Sequence, residues 1–327
     1  MKSPFTGKEM KSVYEKRTWN FRGEMYEYTH ASWLCEDTGE MFTTDESDTV
    51  SFLQVTNQYR TKYGIPFVDE IVSLRERYGV SASKMSLILG FGPNQWRLYE
   101  NGEVPSVSNG RMIRSIMKPE VFLDMVESSR QLLTPKEYDK LTLKIKNIPK
   151  DSNGIYAYQL NHLFECGRGA ENGYGMISLE RLKNILLYII DKCNGVFCTK
   201  MNKLLFYIDF MSYRQYGMSL TGLSYKALDF GPVPEHWDRI YSHFDEIEQE
   251  PRQSWGKEGI ALLSSTKPDL AIFTQQELDI MESVCSYFKD YSSVDISNVS
   301  HNETAWLECH AAHSRIAYDY AFQLKAL

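Results

Sequence analysis

Apolar side chains recur at helical spacing through most of the chain after Thr49. In residues 1–45 aromatic side chains instead alternate loosely with polar ones, which predicts two or three short strands. After a first helix, three short helices are predicted, and each is followed by a glycine: Gly79, Gly90 and Gly102. The pattern predicts a mainly α, multidomain protein with a small β-rich N-terminus.

Helical periodicity is strongest in the C-terminal part of the chain. Ser178 is the predicted cap of one amphipathic helix, and Thr199 is the predicted cap of the next. Further helices are predicted to begin at Pro234 and Thr304, the last of them running to the end of the sequence. Before this part, residues 149–175 contain five glycines and little periodicity, which favours a linker.

The amino-acid composition indicates the broad class of protein. Hydrophobic residues make up 43% and charged residues 24%, as is typical of globular proteins. No apolar run reaches the length of a membrane span, and the first residues lack the apolar core of a signal peptide. We therefore expect a cytoplasmic protein with no membrane partner, whose six irregularly spaced cysteines form no disulfide.

Charge is distributed unevenly around a net value of -7. Residues 71–118 carry 7 basic and 3 acidic side chains, whereas residues 176–327 carry 14 basic and 20 acidic ones. A short basic segment in an acidic chain is compatible with a local nucleic-acid contact. Alone it does not decide between a DNA-binding segment and a chance fluctuation.

The same basic segment has the features of a helix-turn-helix. One helix is predicted to end at Gly79, Ser81 to cap a second, and Gly90 to permit the tight turn before a third. The third helix offers amide and guanidinium groups suited to base edges: Asn94, Gln95 and Arg97. Candidate phosphate contacts lie around it: Ser81, Lys84, Arg111 and Arg114. Another small helical subdomain is the structural alternative.

The residue identities in this segment favour a helix-turn-helix over another small helical subdomain. LRERYGVSASKMSLILGFGPNQWRLYENGEVPS resembles the helix-turn-helix of MqsA-type antitoxins, in which an Asn and an Arg of the third helix read bases. Asn94 matches the family Asn. The family Arg falls at Leu98, and Arg97 lies one residue earlier, about 100° around the helix. The resemblance implies binding to double-stranded operator DNA.

Upstream, the resemblance extends to a small zinc ribbon. Proteins of the MqsA type begin with two C-x-x-C-G knuckles, where this chain has S-P-F-T-G and C-E-D-T-G-E. Only Cys35 remains of the four thiolates. Because a structural zinc needs about four nitrogen or sulfur ligands, we expect a zinc-ribbon-like β subdomain without metal or other cofactor.

A second resemblance lies in the C-terminal part. The strings TKMNKLLFYIDF, SLTG and FGPVPE, with a later Ser300–His301 and Trp306, resemble the SocA-like Panacea antitoxin domain. The resemblance implies a partner-binding surface in an α-helical domain. The candidate toxin-binding residues are Tyr207, Asp209, Tyr225, Phe230, Pro232, His301 and Trp306.

Sequence motifs typical of enzyme active sites are weak or missing in this chain. The sequence has no P-loop, and GMSLTG has one residue too many for a nucleophile elbow. His310 and His313 are spaced to share a helix face and bind a metal, but the sequence places no third ligand beside them. We therefore expect a polar helix surface there, no metal site, and no enzyme activity.

Together these patterns predict the antitoxin of a type II toxin–antitoxin system, which represses its own operon and neutralises a protein toxin. The alternative is a stand-alone transcriptional regulator whose C-terminal domain senses a protein or ligand. A homodimer is expected. The predicted segments are 1–48 (ribbon), 49–148 (helix-turn-helix), 149–175 (linker) and 176–327 (Panacea), the last expected to neutralise the toxin alone.

Overall fold

The structure is a computed structural model that describes residues 1–148, 155–164, 167–254 and 257–327. These residues form a mainly helical protein with small antiparallel sheets. The helices are α1 (Asp45–Tyr63), α2 (Val68–Tyr78), α3 (Ala82–Ile88), α4 (Gln95–Glu100), α5 (Val107–Ser115), α6 (Pro119–Ser128), α7 (Pro135–Lys146), α8 (Ile155–Leu163), α9 (Leu179–Cys193), α10 (Cys198–Tyr216), α11 (Trp237–His243), α12 (Gln275–Tyr287), α13 (Ser293–Ser300) and α14 (Thr304–Cys309). The strands are β1 (Lys11–Phe21), β2 (Glu24–Leu34), β3 (Met41–Phe42), β4 (Val196–Phe197), β5 (Tyr225–Leu228), β6 (Gly231–Pro234), β7 (Glu248–Ser254), β8 (Lys257–Leu263) and β9 (Arg315–Ile316).

The contacts divide the chain into two compact units. The first unit joins Met1–Val55 to Tyr156–Leu327, and the second comprises Thr56–Ile155. The N-terminal strands thus belong with the C-terminal helices rather than with the helices that follow them in sequence. The four predicted functional segments stay a prediction, because grouping by contacts does not test what each segment does.

In the first unit, β1 and β2 form the long hairpin expected from the aromatic alternation. The strands pair from Lys11–Leu34 to Phe21–Glu24, and β3 adds to the free edge of β2. Arg22 and Gly23 both have positive φ, as a two-residue hairpin turn requires. Residues 1–45 therefore hold three strands.

Two similar turns close the end of this hairpin. The amide of Gly7 donates to the Ser3 carbonyl at 2.9 Å, and that of Gly39 donates to the Cys35 carbonyl at 2.8 Å. Both glycines have φ near 70°. Hydrogen bonds from the hydroxyls of Ser3 and Thr38 lower the pKa of the Cys35 thiol to about 7. The thiol and the hydroxyls therefore meet where the two turns face each other.

The hairpin also packs within its unit at two further places. The Gln54 side-chain amide bonds to both the N–H and the carbonyl of Thr29, at 2.9 Å each. At the other end of the sequence, the Tyr14 and Phe322 rings lie 5.7 Å apart, and Lys16 forms an ion pair with Asp319. The β-rich N-terminus is thus part of the unit that contains the C-terminal helices.

The second unit contains the short helices predicted from the glycine pattern. Gly79 ends α2 in the left-handed conformation, and the Ser81 hydroxyl accepts from the Lys84 amide at 3.2 Å to cap α3. Trp96 of α4 is fully buried, and the Tyr78 and Phe122 rings stack at 4.1 Å. Local caps and one apolar core therefore account for this arrangement.

Three sequence expectations for the C-terminal part are wrong in detail. Helix α10 begins at Cys198, with Phe197 rather than Thr199 at the N-cap. Pro234 lies in β6, an edge strand where a missing N–H costs no sheet hydrogen bond. The helix at Thr304 ends at Cys309, and His313 has φ 47°, which breaks the helical path.

The predicted linker is only partly within the described residues. Residues 149–154 and 165–166 of that linker lie outside them. Within the rest, α8 forms a helix, and Tyr174 is buried. The Gly169 amide donates to the Asn172 side chain at 2.9 Å. The part of the linker around Tyr174 is therefore packed and hydrogen-bonded rather than a featureless connection.

The paired turns lead to the first prediction. Replacing Ser3, Thr6 and Thr38 by cysteine together should create a zinc site, because Cys35 would then have three further thiolates around it. The variant is made in a His313→Asn background, so that the turns are the zinc site being measured, and elemental analysis should then find one zinc per chain. The control replaces the same three residues by alanine in that background and should hold less zinc. Equal zinc content in the folded triple cysteine variant and in this control would show that the turns lack knuckle geometry.

Candidate functional site

The site rests on a buried carboxylate in α10. Asp209 accepts hydrogen bonds from the amides of Leu220 and Thr221, at 2.8 and 2.7 Å. It also accepts from the hydroxyls of Thr221 and Tyr225, the latter at 2.6 Å. Burial raises the pKa of Asp209 to about 6, and these hydrogen bonds oppose the rise. The carboxylate thereby fixes the loop that leads into β5.

A second buried carboxylate fixes the end of the chain. The Tyr207 hydroxyl donates to Glu303 at 3.1 Å, and Glu303 also accepts from the amides of Lys325 and Ala326. Glu303 is almost wholly buried. Burial, followed by the charge of Glu303, raises the pKa of the Tyr207 hydroxyl far above its ordinary value. Tyr207 therefore anchors the C-terminal residues to α10.

These contacts correct part of the candidate toxin-binding set. Tyr207, Asp209 and Tyr225 are fully buried, and Pro232 is buried as well. A side chain without exposed surface cannot contact a partner in this conformation. The four residues instead support the surface from inside.

The remaining candidates are half-buried or exposed and lie on the outer elements. Phe230, in the turn between β5 and β6, is 72% exposed. The His301, Trp306 and His310 rings form a continuous stack, with 4.1 Å between neighbouring centroids. The Trp306 indole N–H donates to the Leu228 carbonyl at 2.8 Å, which ties the stack to the strand before Phe230. We call Phe230, His301, Trp306 and His310 the aromatic patch.

Gly231 lets the turn at Phe230 approach the helices closely. Its φ is 105°, a conformation that L side chains rarely adopt. A Cβ atom there would meet the Ser300 hydroxyl and would lie 2.7 Å from Lys203 Cε. The glycine in the FGPVP string is therefore required by packing under the patch.

Lys203, which lies beneath this turn, is an unusual core residue. Its side chain on α10 is 1% exposed, and burial lowers its pKa to about 7. No hydrogen bond or ion pair to its ammonium group occurs within the described part of the chain. Lys203 also contributes, after burial, to the lowered pKa of His301. A buried amine and a half-buried imidazole thus share the inner side of the patch.

The candidate DNA-binding residues occupy a different surface, in the second unit. Asn94 and Arg97 are exposed at α4, and the described residues offer neither side chain a hydrogen-bond partner. The Gln95 amide donates to Glu103 at 2.9 Å. Arg111 is exposed on α5, as Asn94 and Arg97 are on α4.

Two candidate phosphate contacts have acidic partners in the free protein. Lys84 pairs with Glu137 at 2.7 Å, and Arg114 lies 3.5 Å from Glu70. The Lys84 hydrogen bond is the main reason that the pKa of Glu137 falls to about 2. The Ser81 hydroxyl is used as a helix cap. Any phosphate contact by Lys84 or Arg114 would therefore compete with an existing pair.

Sequence reasoning missed Lys203, Glu303 and Asp229. A lysine within the apolar string MNKLLFYIDF was the available signal for a buried amine. Asp229 lies close to His310 and His313, 3.3 and 3.1 Å from their Nε2 atoms. Nothing in the sequence indicates this contact, because the aspartate and the histidines are far apart in the chain and meet only through tertiary packing.

A comparison with known families found a match within the C-terminal part of the chain. Residues 201–307 match the family model described as antitoxin SocA-like, Panacea domain. The matched residues include most of α10, all of β5 and β6, and three of the four residues of the aromatic patch. No curated protein and no solved structure matches the chain. None of the helices in the described ranges is long and apolar enough to cross a bilayer.

The buried lysine gives the second prediction. In the unfolded chain Lys203 keeps its proton up to its ordinary pKa of 10.5, whereas the folded protein releases it near 7. The folded state should therefore gain stability as pH rises from about 7 to about 10.5. Lys203→Met should raise the free energy of unfolding at pH 6 and weaken this pH dependence.

Urea unfolding at several pH values measures both effects. The control is Lys289→Met, which removes an exposed lysine and should leave the pH dependence as in the wild type. A Lys203→Met variant that is less stable than the wild type at pH 6 would show that the ammonium group has a stabilising partner.

Proposed function

We propose that the chain is the antitoxin of a type II toxin–antitoxin system. Its first unit would bind and neutralise a cognate protein toxin, and its helix-turn-helix would bind the operator of its own operon. The observation that carries the proposal is the Panacea match at residues 201–307, whose outer elements bear the aromatic patch. The mechanism would be occlusion of the toxin, with no covalent step.

The aromatic patch has the properties of a protein-binding centre. Aromatic side chains contribute large contact areas at a low cost in conformational entropy, and they dominate the energetics of many interfaces. Stacking restrains three rings of the patch, those of His301, Trp306 and His310, before any partner binds. The fourth ring, that of Phe230, is exposed at the adjoining turn. A prearranged surface of this kind favours affinity because little ordering remains to be done.

The unit that would carry neutralisation is larger than residues 176–327. Leu163 and Tyr174, which precede that segment, are buried, and Gly217 packs against Leu53. A fragment that starts at residue 176 would lack Leu53 and the hairpin residue Tyr14, which contact Gly217 and Phe322. We therefore propose that neutralisation requires the N-terminal hairpin together with the C-terminal helices.

DNA binding would use the exposed start of α4. Asn94 and Arg97 are suited to adenine and guanine edges, and Leu98 beside them is an exposed apolar side chain that would suit a thymine methyl group. A homodimer would place two such helices on the half-sites of a palindromic operator. The local basic charge of residues 71–118 would offset the acidic character of the whole chain.

The third prediction tests neutralisation through the patch. Phe230→Ser should abolish rescue of growth when the full chain is co-expressed with the toxin encoded beside it, because it removes the most exposed ring of the patch. Leu143→Ser is the matched control, since Leu143 is a 62% exposed apolar residue in the other unit. Full rescue by Phe230→Ser would show that the toxin binds at a different surface of the protein. Absence of any adjacent toxin gene would favour the stand-alone regulator.

The fourth prediction tests DNA reading. Asn94→Ala combined with Arg97→Ala should weaken operator binding by about 1–3 kcal/mol for each bidentate pair of hydrogen bonds to a base that the substitutions remove. Neutralisation should be unaffected. A gel-shift titration at fixed salt measures the change, with Lys140→Ala as a control for removal of one exposed positive charge. Unchanged operator affinity in the double variant would show that this face of α4 does not read the DNA bases.

A further inference from the structure

Three side chains with metal-binding chemistry converge at the edge of the aromatic patch, to which one of them, His310, belongs. Asp229 is exposed in the turn between β5 and β6, while His310 and His313 follow α14. Asp229 Oδ1 lies 3.3 Å from His310 Nε2 and 3.1 Å from His313 Nε2. One ligand atom from each residue fits within a distance of 4.8 Å from the others. The cluster therefore supplies two imidazoles and one carboxylate at a single point.

The spacing of these atoms suits a tetrahedral metal ion. Zinc–nitrogen and zinc–oxygen bonds of about 2.0–2.1 Å place neighbouring ligands of a tetrahedron about 3.3 Å apart. Both nitrogen–oxygen distances are close to this value. Imidazole with carboxylate is a donor set that suits zinc, cobalt and nickel rather than magnesium or calcium.

The two histidines are held in place by the surrounding fold. The His310 ring stacks on Trp306, with centroids 4.1 Å apart. The His313 amide donates to the His310 carbonyl at 2.9 Å, and the left-handed backbone of His313 turns its ring toward Asp229. Because these contacts already hold the ligands close together, little reorganisation would be needed to bind an ion.

We propose that Asp229, His310 and His313 form a binding site for a divalent metal ion of the zinc class. Three protein ligands leave a fourth tetrahedral position for water or for a side chain of a binding partner. The ion would join the β5–β6 turn to the segment after α14, and so tie together two parts of the surface that carries Phe230. This proposal does not depend on whether the partner is a toxin.

Zinc titration of the full chain tests the site. The experiments use a Cys35→Ser background, which removes the thiolate of the N-terminal turns as a competing ligand. Isothermal titration should show one zinc per chain. Asp229→Asn and His313→Asn should each weaken binding at least about tenfold, and asparagine tolerates the left-handed backbone at position 313. His162→Asn, a histidine outside the cluster, should bind zinc as the unmodified background does.

Two further readouts separate a real site from surface adsorption. Cobalt should give the intense visible absorption of a tetrahedral complex in the background protein and lose it in Asp229→Asn. At a zinc concentration that saturates the background protein but not the weaker variant, zinc should raise the melting temperature of the background protein more than that of His313→Asn, because tighter binding to the folded state stabilises it more. Equal zinc affinity in background and cluster variants, or no saturable binding in the background protein, would overturn the proposal.

Discussion

The buried Asp209 carboxylate is the interaction on which the C-terminal architecture depends. It lies within α10, which is buried over almost its whole length, and accepts hydrogen bonds from two backbone amides and two hydroxyls. Desolvating a carboxylate is costly unless its oxygens are well satisfied. The loop at Leu220 and Thr221 is therefore held in one position, and β5 begins where Tyr225 bonds to the same carboxylate.

The position of β5 in turn determines what reaches the surface. The strand leads to the turn at Asp229 and Phe230, and Gly231 permits that turn to pack closely over Lys203. Trp306 bonds to the last carbonyl of the strand and carries the two histidine rings stacked on it. Buried polar groups thus support a surface that is mainly aromatic. For this reason some motif residues are buried and have a supporting role, whereas others reach the surface.

Features governed by local interactions could be predicted from the sequence. Ser81 and Ser178 cap helices as expected, because each hydroxyl accepts a hydrogen bond from an amide only three residues further along the chain. The burial of Tyr207 and Asp209 could not be predicted, since their partners lie elsewhere in the fold. The carboxylate beside the two histidines was missed for the same reason.

We infer that the Asp209 hydrogen bonds hold the C-terminal part of the chain together. Equilibrium unfolding of Asp209→Asn tests it directly, because the substitution keeps the shape of the side chain and removes one acceptor oxygen and the charge. We expect the free energy of unfolding at pH 7 to fall by about 2–4 kcal/mol, as the hydrogen bonds that it removes involve a charged acceptor. A change of less than about 0.5 kcal/mol, the usual range of a surface substitution, would show that the Asp209 hydrogen bonds do not hold this part together.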